Sequence, residues 1–391
     1  MGFIRIFKNK REKIKIYFSF ILYLFINSLF IIKYSSRQDY LSEFVVVIAY
    51  ITFVILFFSG FKNKRFLNKE IRLKNLYKIL TVLVFISILL INIMIDSNRL
   101  QVDRWSAMEI TIESIINGVY PYDKCDHLGQ TSSNLPGLSL LGFPFYFFGD
   151  VGYLQVFVFL VFSIWITFSR RNEREKFLIL VMLLLSPAYW WEVFVKSDLM
   201  SNILLVIIFI DFWKNRYAKN SFQRPILLGM WVGFFCLTRG IVLIPLVLML
   251  FSEFKKSKPI EKVKFFFGFT TLFVLLTLPI LQSLEDFHTV TENNPFNHQT
   301  KYAPKLLIIV TLVVPFFLSR KFKYSEPIFR FSLYILSTLL ITIFMMNVIE
   351  EGIYKNIYEK AFDLSYLGMM IAFVVFSLSD SKSQNDVVET Y

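Results

Sequence analysis

The chain has 391 residues, of which 55% are apolar and only 18% are charged, and phenylalanine alone occurs 46 times. A soluble core cannot hide so much continuous apolar sequence, because runs of about 18 or more apolar residues have the length that crosses a bilayer. The composition therefore excludes an ordinary water-soluble protein. The two cysteines, Cys125 and Cys236, provide no disulfide framework.

The net charge of +13 is explained by orientation in a membrane. If the N-terminus is cytoplasmic, most Lys and Arg residues fall in the segments on that side, which is the bias that fixes membrane topology. We therefore expect no nucleic-acid partner. The first apolar run, Ile16 to Ile32, has spanning length and no small-residue cleavage site, so it predicts a signal anchor. These features predict a multi-pass integral protein of the cell (cytoplasmic) membrane with cytoplasmic N- and C-termini.

The succession of apolar runs predicts an all-α polytopic membrane protein with about 12 transmembrane helices. We expect a single membrane-embedded domain over residues 1–391. Two extra spans occupy 1–77, the core occupies 78–300, further spans occupy 301–380, and 381–391 is a cytoplasmic tail. The predicted spans lie near 15–33, 43–61, 78–96, 152–170, 176–193, 198–213, 225–238, 240–252, 264–282, 305–319, 331–348 and 363–379.

The outer loop 97–151 is predicted to hold a pair of helices that do not span the membrane. From Trp105 to Ile116 the apolar residues recur at steps of three and four, and Gly118 ends the pattern. This periodicity predicts an amphipathic helix on the outer membrane face. The run from Leu135 to Gly149 is apolar but about 15 residues long, or roughly 22 Å, and the bilayer core is about 30 Å thick. It predicts a helix that lies in or dips into the outer face.

The segment from Pro225 to Ser252 contains a single charged residue, Arg239. One continuous span would place the basic cluster at Lys255–Lys258 on the outer side, so we predict two short helices with Arg239 at the turn between them. A guanidinium buried at that depth costs a few kcal/mol unless it faces a polar cavity or a partner.

Acidic residues at the outer ends of spans are candidates for chemistry. Asp103 follows the third span, where a carboxylate can act as a general base or can cap the next helix. Asp198 follows the fifth span in a mixed-charge cluster with Lys196 and Glu192, and it also has the position of a helix cap. Glu109 falls on the polar side of the 105–116 helix, which is more often a solvated face. The histidines follow no metal-ligand spacing, although a metal site remains open for His127, His288 and His298.

The outer loop also contains short motifs in a fixed order. They are Asp103-Arg104-Trp105, the predicted helix, Asn117-Gly118-Val119-Tyr120-Pro121-Tyr122, Leu135-Pro136-Gly137-Leu138 and Phe148-Gly149. This order resembles the first outer loop of the GT-C superfamily of membrane glycosyltransferases, and is most similar to the polyprenyl-phosphate-mannose-dependent, mannosyltransferase-like branch. The resemblance is clearest over residues 96–150. Many members carry an Asp-x-Asp pair, whereas here Trp105 stands at the second Asp position, so a divalent metal ion is left open as a cofactor.

The resemblance implies a hexosyltransferase that moves mannose or a similar sugar from a polyprenyl-phosphate donor to a hydroxyl of a glycan or lipid-linked acceptor. The reaction takes place on the extracytoplasmic face. Such a donor already has a good leaving group, so the site needs a base for the acceptor and positive charge for the departing phosphate, and direct displacement inverts the anomeric centre. The expected catalytic residues are Asp103 and Asp198. The expected substrate-binding residues are Arg104, Glu109, Tyr120, Tyr122, Lys196, Arg239 and His298.

Two other classes of membrane protein remain open. A polysaccharide polymerase or ligase also carries a large outer loop with basic residues. A lipid-linked saccharide transporter or flippase also has many spans, but transporters are commonly built from paired inverted halves, and the sequence shows no such internal symmetry.

Overall fold

A computed structural model describes residues 2–62, 70–284, 293–322, 324–359 and 361–379, with side chains described from Lys13 onward. Helices account for 77% of the chain and no strand forms among the described residues, which confirms the predicted all-α class. In chain order the helices are α1 (Gly2–Ser35), α2 (Glu43–Lys62), α3 (Glu70–Met94), α4 (Arg104–Ile116), α5 (Pro136–Phe147), α6 (Tyr153–Phe168), α7 (Glu173–Leu184), α8 (Pro187–Phe194), α9 (Leu199–Arg216), α10 (Pro225–Cys236), α11 (Leu243–Lys256), α12 (Pro259–Gln282), α13 (Pro295–Gln299), α14 (Lys305–Leu318), α15 (Glu326–Glu351), α16 (Ile353–Tyr358), α17 (Ser365–Gly368) and α18 (Met370–Ser377).

Five of the described helices are long and apolar enough to cross a membrane, namely α1 from Lys13, α2, α3, α12 and α15. A sixth arises if α7 and α8, which are bent by 61° at the break between them, form one span. The other apolar helices are shorter, and α6, with 16 residues, has a length of roughly 24 Å. The structure therefore supports a helical membrane protein with five or six long apolar helices, which is fewer than the predicted number of spans.

The chain divides into two compact units, of which the first comprises residues 1–87, 160–192 and 340–391. In this unit Asn27 of α1 accepts hydrogen bonds from residues at the break between α7 and α8. Its side-chain oxygen accepts hydrogen bonds from the Ser186 hydroxyl at 2.6 Å and from the Ala188 amide at 3.2 Å. The Tyr23 hydroxyl donates to the Met182 carbonyl at 2.7 Å. These bonds from α1 supply partners to backbone groups that a broken helix would otherwise leave unpaired.

The second unit comprises residues 88–159 and 193–339. Its helices α10 and α12 approach each other at glycine residues. A Cβ atom at Gly268 would lie 2.2 Å from the Ile226 carbonyl oxygen, and one at Gly229 would lie 2.0 Å from the Phe265 carbonyl oxygen. Small residues at such crossings let two helix backbones touch, which is a common mode of packing between membrane helices.

We expect Gly268→Ala to destabilise the protein by about 1–3 kcal/mol, because the added methyl group meets backbone atoms that cannot move aside without separating the helices. The measurement is the melting temperature in detergent. Gly368→Ala is the matched control, since a Cβ there makes only an ordinary contact of 3.6 Å with Phe30. A melting temperature of Gly268→Ala equal to that of the wild type would contradict this account of the crossing.

The helix pair predicted in the outer loop is present as α4 and α5. The apolar side of α4 has a different role from the one expected, because Trp105, Met108 and Ile112 are buried in the protein. α5 contributes to their cover, since a Cβ at Gly142 would lie 2.3 Å from the Met108 Sδ atom. The apolar face of α4 is therefore a packing face rather than one offered to a lipid surface.

Candidate functional site

The centre of the candidate site is a buried ion pair between Arg239 and Asp198. Arg239 has an extended backbone in the break between α10 and α11, where a short 3-10 turn, Gly240–Val242, follows it. Its Nε and Nη2 atoms both donate to Asp198 Oδ2, at 3.0 and 2.6 Å. The two residues are 4% and 3% exposed. The predicted break is thus confirmed, and Asp198 is the partner that a buried guanidinium requires.

The break that carries Arg239 is fixed by two neighbouring segments. The Gly137 amide at the start of α5 donates to the Leu237 carbonyl at 2.9 Å. From α13, the Gln299 side chain accepts from the Gly240 amide at 3.2 Å and donates to the Ser133 carbonyl at 2.9 Å. A Cβ at Gly137 would lie 2.7 Å from the Phe234 carbonyl oxygen, so this approach requires glycine.

Lys196, two residues before Asp198, has a left-handed backbone with φ +54°. This conformation costs a non-glycine residue roughly 1–3 kcal/mol and persists only where surrounding contacts impose it. Those contacts are an ion pair with Asp150 and a hydrogen bond from Lys196 Nζ to the Ser97 hydroxyl at 2.7 Å. The charge of Lys196 is therefore committed to Asp150, and the pair positions the segment that carries Asp198.

Glu109 faces this same cluster from α4. Burial, followed by the nearby charges of Asp150 and Glu113, raises the pKa of its carboxyl from 4.5 to a net value of about 7. A hydrogen bond from the Val151 amide and the charge of Lys196 act in the opposite direction and only partly offset the rise. Glu109 is therefore not the solvated acid that its place on the polar face of α4 suggested.

The raised pKa of Glu109 predicts a pH-dependent stability. Between the unfolded pKa near 4.5 and the folded pKa of about 7, the folded protein binds more protons, so its stability falls as pH rises through this window. We expect the wild-type melting temperature to fall between pH 5 and pH 8, and Glu109→Gln to flatten that dependence. Asp123→Asn is the control, because Asp123 is an exposed carboxylate of the same loop and is not among the charges that act on Glu109. A wild-type slope retained in Glu109→Gln would assign the titration to another group.

Asp103 occupies the N-cap position of α4, but its side chain makes no capping hydrogen bond. The side chain is 40% exposed, and its Oδ1 atom lies 4.0 Å from Arg104 Nε. The hydrogen bonds and ion pairs of the described residues do not join Asp103 to Asp198 or Arg239. The structure thus brings Asp198 and Arg239 together and leaves the Asp103 carboxylate outside this pair, partly exposed beside Arg104.

The predicted aromatic residues of the loop are buried in a small cluster. The rings of Tyr120 and Tyr122 meet edge to face at 5.4 Å and pack against Ile280. The Tyr122 hydroxyl donates to the Asn134 carbonyl at 2.9 Å. This placement favours a packing role for both tyrosines.

The two described histidines, His127 and His298, have separate hydrogen-bond partners. His127 pairs with the Ser106 hydroxyl at 2.7 Å and the Leu100 carbonyl at 2.9 Å. His298 pairs with the Thr131 hydroxyl at 3.0 Å, and His288 lies outside the described residues. Among the described residues, no group of three His, Cys, Asp or Glu side chains is arranged to hold a metal ion.

Two residues of this region were not predicted from the sequence. Asp150 follows Gly149, which has a φ of +95° in a tight turn. In the sequence, the only local signal for Asp150 was its place directly after this glycine. Asn202 lies one helical turn beyond Asp198, and its signal was a polar residue inside an apolar run. The functional argument rests on such residues, because comparison with known protein families, with curated proteins and with solved structures found no match.

Proposed function

We propose that the protein is a membrane glycosyltransferase that moves a sugar such as mannose from a polyprenyl-phosphate donor to an acceptor hydroxyl. The observation that carries the proposal is the buried Arg239–Asp198 pair at the helix break. It lies in the same compact unit as Asp103, whose carboxylate makes no capping hydrogen bond. The order of motifs in the outer loop adds the expected reaction class.

Arg239 suits the donor phosphate even though it is paired. A guanidinium carries five N–H donors in a planar fork, and Asp198 takes two of them through a single oxygen. The remaining donors are available to a phosphate, and guanidinium binds phosphate through two parallel hydrogen bonds. Asp198 then orients the guanidinium and offsets its charge while the site is empty.

Asp103 suits the base. In a direct displacement it takes the proton of the acceptor hydroxyl as the acceptor oxygen forms its bond to the anomeric carbon. The sugar–phosphate bond breaks, and the electron pair leaves with the polyprenyl phosphate, whose charge Arg239 stabilises. Attack opposite the leaving group inverts the anomeric centre.

We propose an arrangement of about twelve spans, in which the shorter helices accompany the five or six long ones. The N- and C-termini are cytoplasmic and the loop 97–151 is on the outer face of the cell membrane. The bias of Lys and Arg residues between spans supports this orientation.

Thiol labelling tests the orientation. Cys125 is an exposed free cysteine within the outer loop, so an impermeant maleimide should label it in intact cells, and Cys125→Ser should abolish that label. In the Cys125→Ser background, Lys256→Cys at the end of α11 should react only after the membrane is opened. Labelling of position 256 from outside would reverse the orientation proposed for α10 and α11.

A transfer assay tests the function. Purified protein in vesicles receives polyprenyl-phosphate mannose with a radiolabelled sugar, together with a cell-envelope glycan fraction as acceptor. We expect label in the acceptor and release of polyprenyl phosphate. Movement of intact donor across the bilayer without cleavage would indicate a transporter. Reaction only with a diphosphate-linked oligosaccharide would indicate a polymerase or ligase.

A further inference from the structure

The first turn of α9 carries three buried polar atoms that have no hydrogen-bond partner. They are Oδ1 of Asp198 and both amide atoms, Oδ1 and Nδ2, of Asn202. The two residues are only 3% and 1% exposed. Most buried polar atoms in folded proteins are hydrogen-bonded, so a group of three unpartnered atoms requires an explanation.

These three atoms belong to neighbouring side chains. The Asn202 backbone amide donates to the Asp198 backbone carbonyl at 2.8 Å, which is a helical bond between residues four apart. Side chains at this spacing lie on the same face of a helix, one turn above each other. The Asp198 carboxylate does not cap the helix, and the Ser197 hydroxyl accepts from the Leu199 amide at 3.4 Å instead. Both side chains are therefore available to one ligand.

The charge of the site indicates a neutral ligand. The other oxygen of Asp198 already accepts two bonds from Arg239, so the carboxylate is neutralised and Asn202 adds no charge. A second cation would be repelled by the guanidinium, and an anion would meet the carboxylate oxygen. Whichever way the amide is turned, the three atoms offer two acceptors and one donor.

We propose that Asp198 Oδ1 and the Asn202 amide bind two adjacent hydroxyl groups of the donor sugar. One hydroxyl donates to Asp198 Oδ1 and accepts from the Asn202 amide nitrogen, and its neighbour donates to the Asn202 oxygen. This assignment rests on the proposed function and deepens it, since Arg239 beside Asp198 then holds the phosphate next to the sugar. Arg239 thus binds the phosphate, and the second oxygen of Asp198 together with the Asn202 side-chain amide binds the hydroxyls.

Binding measurements with two probes separate this subsite from the phosphate site. The probes are short-chain polyprenyl-phosphate mannose and the same polyprenyl phosphate without sugar, each titrated into purified protein in detergent. We expect the wild type to bind the sugar-bearing probe more tightly. Asn202→Leu should lose roughly tenfold in affinity for that probe, the size of one or two lost hydrogen bonds, and should bind the sugar-free probe as the wild type does.

Thermal stability provides the second measurement. Leucine has the same number and branching of side-chain heavy atoms as asparagine, although its methyl groups are larger, and it favours helices more. The Asn202 side chain has no protein partner that the substitution would leave unpaired, so Asn202→Leu should not lower the melting temperature of the free protein. Asn27→Leu is the matched control, because it removes the acceptor for Ser186 and Ala188. It should lower the melting temperature and keep the preference for the sugar-bearing probe.

The outcomes distinguish the two proposals. Equal affinity of Asn202→Leu and wild type for the sugar-bearing probe would overturn the sugar subsite and leave a buried water as the partner of these atoms. Failure of the wild type to bind either probe would instead overturn the proposed function. A loss of both probes in Asn202→Leu with an unchanged melting temperature would also overturn the subsite, because Asn202 would then act on the phosphate.

Discussion

Asp103→Asn should reduce sugar transfer by about 10²-fold or more, which is the contribution expected of a general base. Asparagine has the shape of aspartate but cannot accept the acceptor proton. The Asp103 side chain makes no capping hydrogen bond to α4, so the substitution weakens only the 4.0 Å contact with Arg104 Nε. The melting temperature should therefore stay at the wild-type value. The measurement is the initial rate of label transfer at equal amounts of folded protein.

Asp123→Asn is the matched control for this prediction. Asp123 is an exposed carboxylate in the same 97–151 loop and has no proposed part in the reaction, so its variant should transfer sugar at the wild-type rate. Near-normal turnover by Asp103→Asn would remove Asp103 from the mechanism. Activity restored by raising the pH would instead support the role of Asp103, because hydroxide would then replace the missing base.

The helices and their breaks were predictable because their signals are local. The apolar repeat and Gly118 predicted a helix from Trp105 to Ile116, and the structure has it from Arg104 to Ile116. The basic cluster at Lys255–Lys258 predicted a break at Arg239, and the backbone is extended there. In both cases, the signals lie within the same stretch of sequence as the element, as periodicity, a turn residue or charge.

The contacts of the candidate site were not predictable in the same way, because they join residues far apart in sequence. Asp198 and Arg239 were each proposed for the site, but no local spacing shows that residues 41 positions apart form an ion pair. Lys196 was expected to be free for substrate, and Asp150 holds it from 46 positions away. The environment of Glu109 likewise depends on tertiary burial, so sequence position alone suggested an ordinary solvated acid.

The buried pair of Arg239 and Asp198 should couple stability to activity. Arg239→Leu leaves the Asp198 carboxylate buried without its partner, and removing one member of such a pair typically costs about 3–5 kcal/mol. Asp198→Leu likewise leaves the Arg239 guanidinium buried without its partner. We expect both single variants to melt at clearly lower temperatures than the wild type and to lose transfer activity. Arg239→Lys keeps the charge but loses the planar fork of donors. We expect a smaller loss of melting temperature than in Arg239→Leu, together with weakened binding of the donor.

The double variant Asp198→Leu/Arg239→Leu separates the two effects. Replacing a buried ion pair by apolar side chains is often neutral or stabilising, so the double variant should recover most of the melting temperature that each single variant loses. It should remain inactive, because neither the phosphate ligand nor the carboxylate returns. A loss of stability in the double variant equal to the sum of the two single losses would show that the residues contribute nothing as a pair. Recovery of transfer together with stability would show that these residues hold the fold and take no part in the reaction.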